Sequence, residues 1–405
     1  MKAVYFSVLA LVLIPMVSQT GEPLAVPHIT WKHLSTTTGD LPAPNSGKEQ
    51  TASAVLDIDG DGVNDFAISE RTQAPSVVWY RHTAEGWRRY VLEDAPLHVE
   101  AGSAVHDIDG DGDPDLVMGG DAQSNEVWWW ENPRPDFQEN RPWRRRMIKN
   151  FGSNKHHDQM FGDFDGDGQV ELVFWNQGGH KLYLAEIPND PRNAAAWECT
   201  EIYSWSADKE VKQRGTYPSF KAVNEHEGLS KADIDGDGKE DIVGGGRWFK
   251  HLGGTNFQAN IIDAGYCFSR SAAGQLIKGG QPEVVLVVGD GVAPLMLYEW
   301  RKDTWANKVI VPEVDNGHSL SLLDFNGDGN LDIFNAEMRL NGGNPDARSV
   351  VLLGDGEGDF TPLVVSTGFG LHESKIADLD GDGDFDVLEK PYNWETPRLD
   401  LWLQQ

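Results

Sequence analysis

A nine-residue acidic pattern, D-x-D-G-D-G-x-x-D, recurs along this chain and limits what it can fold into. It begins at Asp57 (DIDGDGVND), Asp107 (DIDGDGDPD), Asp163 (DFDGDGQVE), Asp233 (DIDGDGKED), Asp324 (DFNGDGNLD) and Asp378 (DLDGDGDFD). The long interval between Asp233 and Asp324 contains a decayed copy at residues 275–283 (QLIKGGQPE), which keeps the spacing and loses the ligands. That makes seven units, and repeats of this period signal a solenoid or a propeller.

Each unit reads as four short strands. In the first they fall at residues 53–56, 65–69, 76–80 and 87–92, rich in Val, Ile, Trp and Tyr and separated by Gly, Asn and Asp. Segments 171–175, 181–186 and 197–203 repeat the order, and no amphipathic helical stretch competes. The expected fold is an all-β propeller with seven four-stranded blades over residues 21–405. Segment 399–403 (LDLWL) matches a third strand with no fourth after it, and segment 29–34 (ITWKHL) reads as an orphan fourth strand. Pairing the two closes the ring and removes two exposed sheet edges.

Ahead of that, Met1-Lys2 and the apolar run 4–17 predict a secretory signal peptide over residues 1–20. The run is shorter than the ~20 residues a spanning helix needs. The expectation is export to the periplasm or the extracellular space, with no membrane insertion. The two cysteines, Cys199 and Cys267, allow one disulfide at most. A formal charge of −30 argues against a nucleic-acid partner.

Acids at positions one, three, five and nine of each loop, with Asn326 the single amide among them and the carbonyl at seven, place oxygen ligands around one small volume. The sets are Asp57, Asp59, Asp61, Val63 and Asp65; Asp107, Asp109, Asp111, Asp113 and Asp115; Asp163, Asp165, Asp167, Gln169 and Glu171; Asp233, Asp235, Asp237, Lys239 and Asp241; Asp324, Asn326, Asp328, Asn330 and Asp332; and Asp378, Asp380, Asp382, Asp384 and Asp386. Carboxylates this close repel unless a cation lies between them. Hard oxygen donors select Ca²⁺ or Mg²⁺ as a structural staple. An EF-hand needs a Glu at position twelve, where this chain has Ile68, Met118, Phe174, Gly244, Asn335 and Glu389. Pro391 follows the single Glu and leaves no room for a flanking helix. With these loops the chain resembles the FG-GAP/VCBS repeat propellers over residues 52–391, which implies the same fold and calcium-stabilised loops.

In such a ring the first strand of each blade runs down to its loop and the second runs back. The segments before each first strand therefore meet on the face away from the metals. His98, His156, His157, His226, His318 and His372 fall there, and His157, His318 and His372 share one offset from their loops. An insertion at about 204–225 carries Arg214, Tyr217 and Lys221 as a candidate lid. Imidazoles beside Glu100, Glu227 and Glu373 suit proton transfer, and equally a Zn²⁺ or Mn²⁺ site. The tripeptide Trp128-Trp129-Trp130 reads as core packing, with alternation burying part of it.

His156-His157-Asp158, residues 172–177 (LVFWNQ), His226-Glu227-Gly228 and residues 244–249 (GGGRWF) are similar to the propeller part of aldos-2-ulose dehydratase and, more loosely, to propeller polysaccharide lyases. The resemblance implies a carbohydrate lyase or dehydratase working by β-elimination on a poly- or oligosaccharide or a keto sugar. The expected acid/base residues are His156 or His157, then Tyr217 and His226, with His318 and His372 on the same rim and Arg247 stabilising charge. Two alternatives stand beside it: a calcium-stabilised glycan- or protein-binding propeller, and a glycoside hydrolase using carboxylates such as Asp290 and Glu337.

Overall fold

A computed structural model describes residues 29–206 and 225–405. The expected signal segment and the lid candidates Arg214, Tyr217 and Lys221 lie outside the described residues. Seven four-stranded antiparallel sheets make the propeller. Blade 1 is Gln50–Leu56, Asp65–Glu70, Val77–Thr83 and Gly86–Glu93, each strand pairing with the next. Blade 3 repeats it with His156–Gly162, Glu171–Asn176, Lys181–Glu186 and Glu198–Ser204. Blade 7 joins Lys375–Ala377, Asp386–Glu389 and Asp400–Gln404 to Trp31–Ser35 from the other end of the chain. Trp31 lies opposite Gln404 and Ser35 opposite Asp400. The closure is the expected one, with both strands moved by a residue or two.

The second strands explain why the sequence shows apolar runs rather than strict alternation. Blades stack face to face, so both faces of a strand are covered. Every residue of Glu171–Asn176 (ELVFWN) and of Glu283–Val288 (EVVLVV) is buried. Separate apolar clusters fill the gaps between successive blades around the ring. The core-packing expectation for Trp128-Trp129-Trp130 holds and goes further than alternation implied, since all three rings are buried. Trp128 and Trp130 pack toward blade 1, and Trp129 packs toward blade 3. Trp129→Ala should therefore cost about 3–5 kcal/mol in denaturant unfolding. A loss under about 1 kcal/mol, the range of a surface change, would mean that this gap is not a packed core.

Position nine of the repeat proves to fasten backbone. Asp65 takes the Ile58 N–H at 3.2 Å and the His82 N–H at 2.8 Å. Asp386 takes those of Leu379 at 2.8 Å and Gln404 at 2.9 Å. Each acid so ties its loop to the third strand. Glu283 does the first half of this job in the decayed copy, accepting from Leu276 at 2.8 Å and Ile277 at 2.9 Å. The acid persists there, although Gln275, Ile277 and Gly279 replace the acids at positions one, three and five. Cys199 lies on an outer strand and Cys267 is buried in a turn, and no disulfide joins the two.

Candidate functional site

The acidic loops crowd their carboxylates at one end of the ring. The first aspartate organises each turn: Asp57 takes the N–H groups of Gly60 at 2.8 Å, Asp61 at 3.1 Å and Gly62 at 2.9 Å. Gly60 and Gly62 sit at φ 73° and 92°, where a side chain would be strained. Candidate ligand atoms of Asp163, Asp165, Asp167 and Glu171 lie within 4.8 Å of one another, as do those of Asp57, Asp59 and Asp61, of Asp107, Asp109 and Asp115, and of Asp233, Asp235 and Asp241. The buried Oδ1 atoms of Asp109, Asp235 and Asp380 find no hydrogen-bond donor among the described residues. An all-oxygen donor set with orphaned carboxylate atoms fits a hard divalent cation. Arg81 pairs with Asp59, Arg192 with Asp109 and Asp111, and Lys250 with Asp235 and Asp237.

At the opposite mouth, the side chains six residues before the first Asp of their loops face the axis. His157, Glu227, His318 and His372 all hold that offset, and all four line one cavity of about 120 Å³. His157 and His318 have ring centres 6.2 Å apart, and His318 and His372 4.3 Å apart. The expected convergence of the three imidazoles is present. Glu227, expected only as a carboxylate beside the imidazoles, is the fourth member at this offset. Its signal was the shared offset, hidden because only histidines were being aligned.

A one-residue shift along a strand turns a side chain to the other face. His156 and His226 are each displaced by that one residue, and neither lines the cavity. His156 instead faces Asn176 Nδ2 at 2.8 Å, and burial pushes its pKa down to about 3. His226 stacks on Trp205 with ring centres 3.9 Å apart. Arg247 is buried over the Tyr203 ring and donates to the Gly245 carbonyl at 2.8 Å, away from the cavity. The guanidinium at the mouth belongs to Arg71. It donates to the Tyr392 hydroxyl at 2.6 Å, pairs with Glu100, and lies 3.4 Å from Asp121. Lys155, paired with Glu225 at 2.5 Å, lines the same rim.

The charges in the cavity are set by its floor. Asp158 accepts from His157 Nδ1 at 2.8 Å, from Arg270 at 2.7 Å and from the Gly228 N–H at 2.9 Å. Arg270 also reaches Glu373 at 3.1 Å. Burial opposes charge on His157, but the Glu227 and Asp158 carboxylates outweigh it and push its pKa up to about 9. Burial, outweighing the nearby His157 and Arg270 cations, raises Glu227 to about 7, and burial, with Arg270 and His157 adding to it, lowers His318 to about 4. His372 is held well below its usual range by burial, then by its cationic neighbours. Its Nδ1 donates to the Thr51 carbonyl at 3.1 Å, which leaves Nε2 with the lone pair. The ring of Tyr392 stacks on it at 4.9 Å, and burial keeps that phenol protonated.

The carboxylate pair expected for a hydrolase does not share a pocket. Asp290 lines the axial cavity. Glu337 accepts the N–H groups of Asp315 and Arg348, both at 2.9 Å, beside a separate apolar groove of about 290 Å³ between blades 5 and 6.

Comparison with known proteins bears on the architecture. Residues 107–174 match the FG-GAP-like repeat family. No curated protein matches the chain. Among solved structures, the rhamnogalacturonan lyase YesW is 14% identical, with 89% of this chain and 74% of that chain covered and a TM-score of 0.46. BBS1N in complex with ARL6DN is 12% identical over 89% of this chain and 93% of the other, with a TM-score of 0.51. The biofilm matrix protein Bap1 of V. cholerae is 11% identical over 89% of each chain, with a TM-score of 0.48. At such identities these are likenesses of fold, and the acidic-loop unit at 107–174 is the part of this chain that carries a family resemblance in sequence.

Proposed function

We propose that this propeller is a carbohydrate-acting carbon–oxygen lyase with its chemistry at the axial mouth. The observation that carries the reading is the convergence of His372, Tyr392 and Arg71 in one narrow cavity. Arg71 comes from the far end of the chain to meet His372 and Tyr392, and the imidazole and the phenol are poised in opposite protonation states. Groups whose surroundings push them apart in this way are the mark of an acid/base pair.

The neutral His372 Nε2 takes the proton next to a carbonyl or uronate group. The electron pair forms the new carbon–carbon double bond as the C–O bond at the β position breaks. The Tyr392 hydroxyl gives its proton to the departing oxygen, and Arg71 stabilises the phenolate left behind. Glu49, 3.1 Å from the same hydroxyl, offers the proton a return route. A divalent metal bound in the cavity would add Lewis-acid polarisation of the substrate oxygen. This assignment keeps His372 from the expected histidines and puts Tyr392 and Arg71 where Tyr217 and Arg247 were expected.

The test is incubation with anhydrofructose, 3-keto sugars and uronate-containing polysaccharides, following the absorbance of unsaturated products. The expected result is product from one of these classes. Binding of such glycans with no product from any of them would overturn the lyase reading in favour of a glycan-binding propeller.

A further inference from the structure

We propose that the axial cavity holds one first-row divalent transition-metal ion, of the Zn²⁺ or Mn²⁺ class, ligated by His157 Nε2, Glu227 and His318 Nε2. This deepens the lyase reading by naming a cofactor for the same cavity, and its test is independent of turnover.

The geometry supplies the ligand set. Candidate ligand atoms of the three residues lie within 4.8 Å of one another, and all three residues are buried. A four-coordinate ion with bonds of about 2.0–2.1 Å keeps its ligands roughly 3.4 Å apart. His157 Nε2 and Glu227 Oε1 stand at 3.3 Å. His318 Nε2 is 4.0 Å from Glu227 Oε2, a gap that small side-chain rotations close. Asp290, 3.9 Å from His318 Nε2 and on the solvent side, can serve as a fourth ligand or hold a water there. Two imidazoles and a carboxylate select a first-row transition ion over Ca²⁺, which takes oxygen alone.

Three further features fit a site built for an ion. His157 Nδ1 is already committed to Asp158, which is itself clamped by Arg270. That carboxylate–histidine pair directs the Nε2 lone pair inward, as in many metal centres. Glu227 Oε2 is buried and accepts no hydrogen bond among the described residues, an expensive condition for an ionised oxygen. Gly289 borders the gap. A Cβ there would stand 3.0 Å from Glu227 Oε2 and 3.3 Å from His318 Nε2. Its φ lies outside the left-handed region, so the backbone does not require glycine; what glycine preserves is the space.

The test uses the full chain, stripped with chelator and returned to excess Ca²⁺ so that the acidic loops are filled. Co²⁺ is then titrated as a probe whose visible bands report nitrogen ligation, with Zn²⁺ as competitor. Wild type should take one tight equivalent. His157→Ala and Glu227→Gln should weaken it by about 100-fold or more. Gly289→Ala, which keeps every ligand, should weaken it by about 10-fold. His98→Ala, on the rim but outside the cavity, should leave it unchanged. The melting temperature in Ca²⁺ checks that each variant folds. If the ligand variants fail to fold, Gly289→Ala decides alone. No tight equivalent in wild type, or unchanged affinity in the folded ligand and Gly289→Ala variants, would overturn the site. Tight binding without turnover would sink the lyase reading and leave the site standing; turnover in a wild-type protein that takes no tight equivalent would do the reverse.

Discussion

Chelation at about pH 7.5 should lower the melting temperature by on the order of 10 °C or more, and the same treatment at about pH 5 should do far less. The argument starts at position nine of the loops. Burial, reinforced by neighbouring carboxylates, raises Asp65, Asp241 and Asp386 to about 7, Glu171 to about 7, Asp115 to about 8 and Asp332 to about 6. In the unfolded chain these groups titrate near ~4. Without a cation, the folded state therefore binds more protons than the unfolded state across that window. The stability these protons confer is complete below about pH 4 and is lost as pH rises through 6 to 8. A bound divalent cation reverses the dependence, because it holds the same carboxylates ionised and competes with protons for them. Losing ions from only two loops at a hundredfold excess over the dissociation constant removes about 2.7 kcal/mol for each. In a domain this size that is on the order of 10 °C. Scanning calorimetry with and without chelator at the two pH values checks it. A chelator effect that is absent, or the same at both pH values, would mean that the acidic loops are not cation sites.

The same loops explain why so much of the fold could be read in advance. A turn organised by one aspartate and two left-handed glycines is a local device. Its seven-fold spacing, with Gln275 to Glu283 as the worn copy, carries the blade count without any long-range information. The closing strand was legible because an unpaired edge at each end of the chain has only one partner of matching register. The mouth was legible in part. Offset from the loop determines which side chains face the axis, and that rule picks His157, His318 and His372. Applied without regard to residue type it would also have picked Glu227 and passed over His156 and His226. Arg71 and Tyr392 follow second strands, which puts them on this face, but their pairing had no such signal, and neither did Arg270. Arg71 reaches Tyr392 across the ring closure, 321 positions apart in sequence, and Arg270 joins Asp158 of blade 3 to Glu373 ahead of blade 7. Contacts of that kind exist only once the ring has closed, so no local pattern records them. The Trp triplet was legible as core, but alternation would have buried only part of it. Alternation describes a sheet with one wet face, and a blade between two others has none.

His372→Ala and Tyr392→Phe should each lower kcat for the β-elimination by about 10²–10⁴-fold, the span usual for a lost general base or acid. The two changes test different halves of one step. Removing the imidazole of His372 takes away the basic Nε2, which carries the lone pair because Nδ1 donates to the Thr51 carbonyl at 3.1 Å. It also removes the ring against which Tyr392 stacks, so KM is expected to rise as well. Tyr392→Phe is the sharper probe. Its ring can keep the stacking on His372, and only the hydroxyl held by Arg71 at 2.6 Å is lost. Its deficit should fall on kcat with KM nearly unchanged, as for a group that acts only in the transition state. It should also shrink for substrates whose leaving group is a good anion and needs no proton. A Tyr392→Phe enzyme with the full wild-type kcat on a poor leaving group would remove the phenol from the mechanism. Equal losses on good and poor leaving groups would mean that Tyr392 positions its neighbours and that the proton comes from elsewhere.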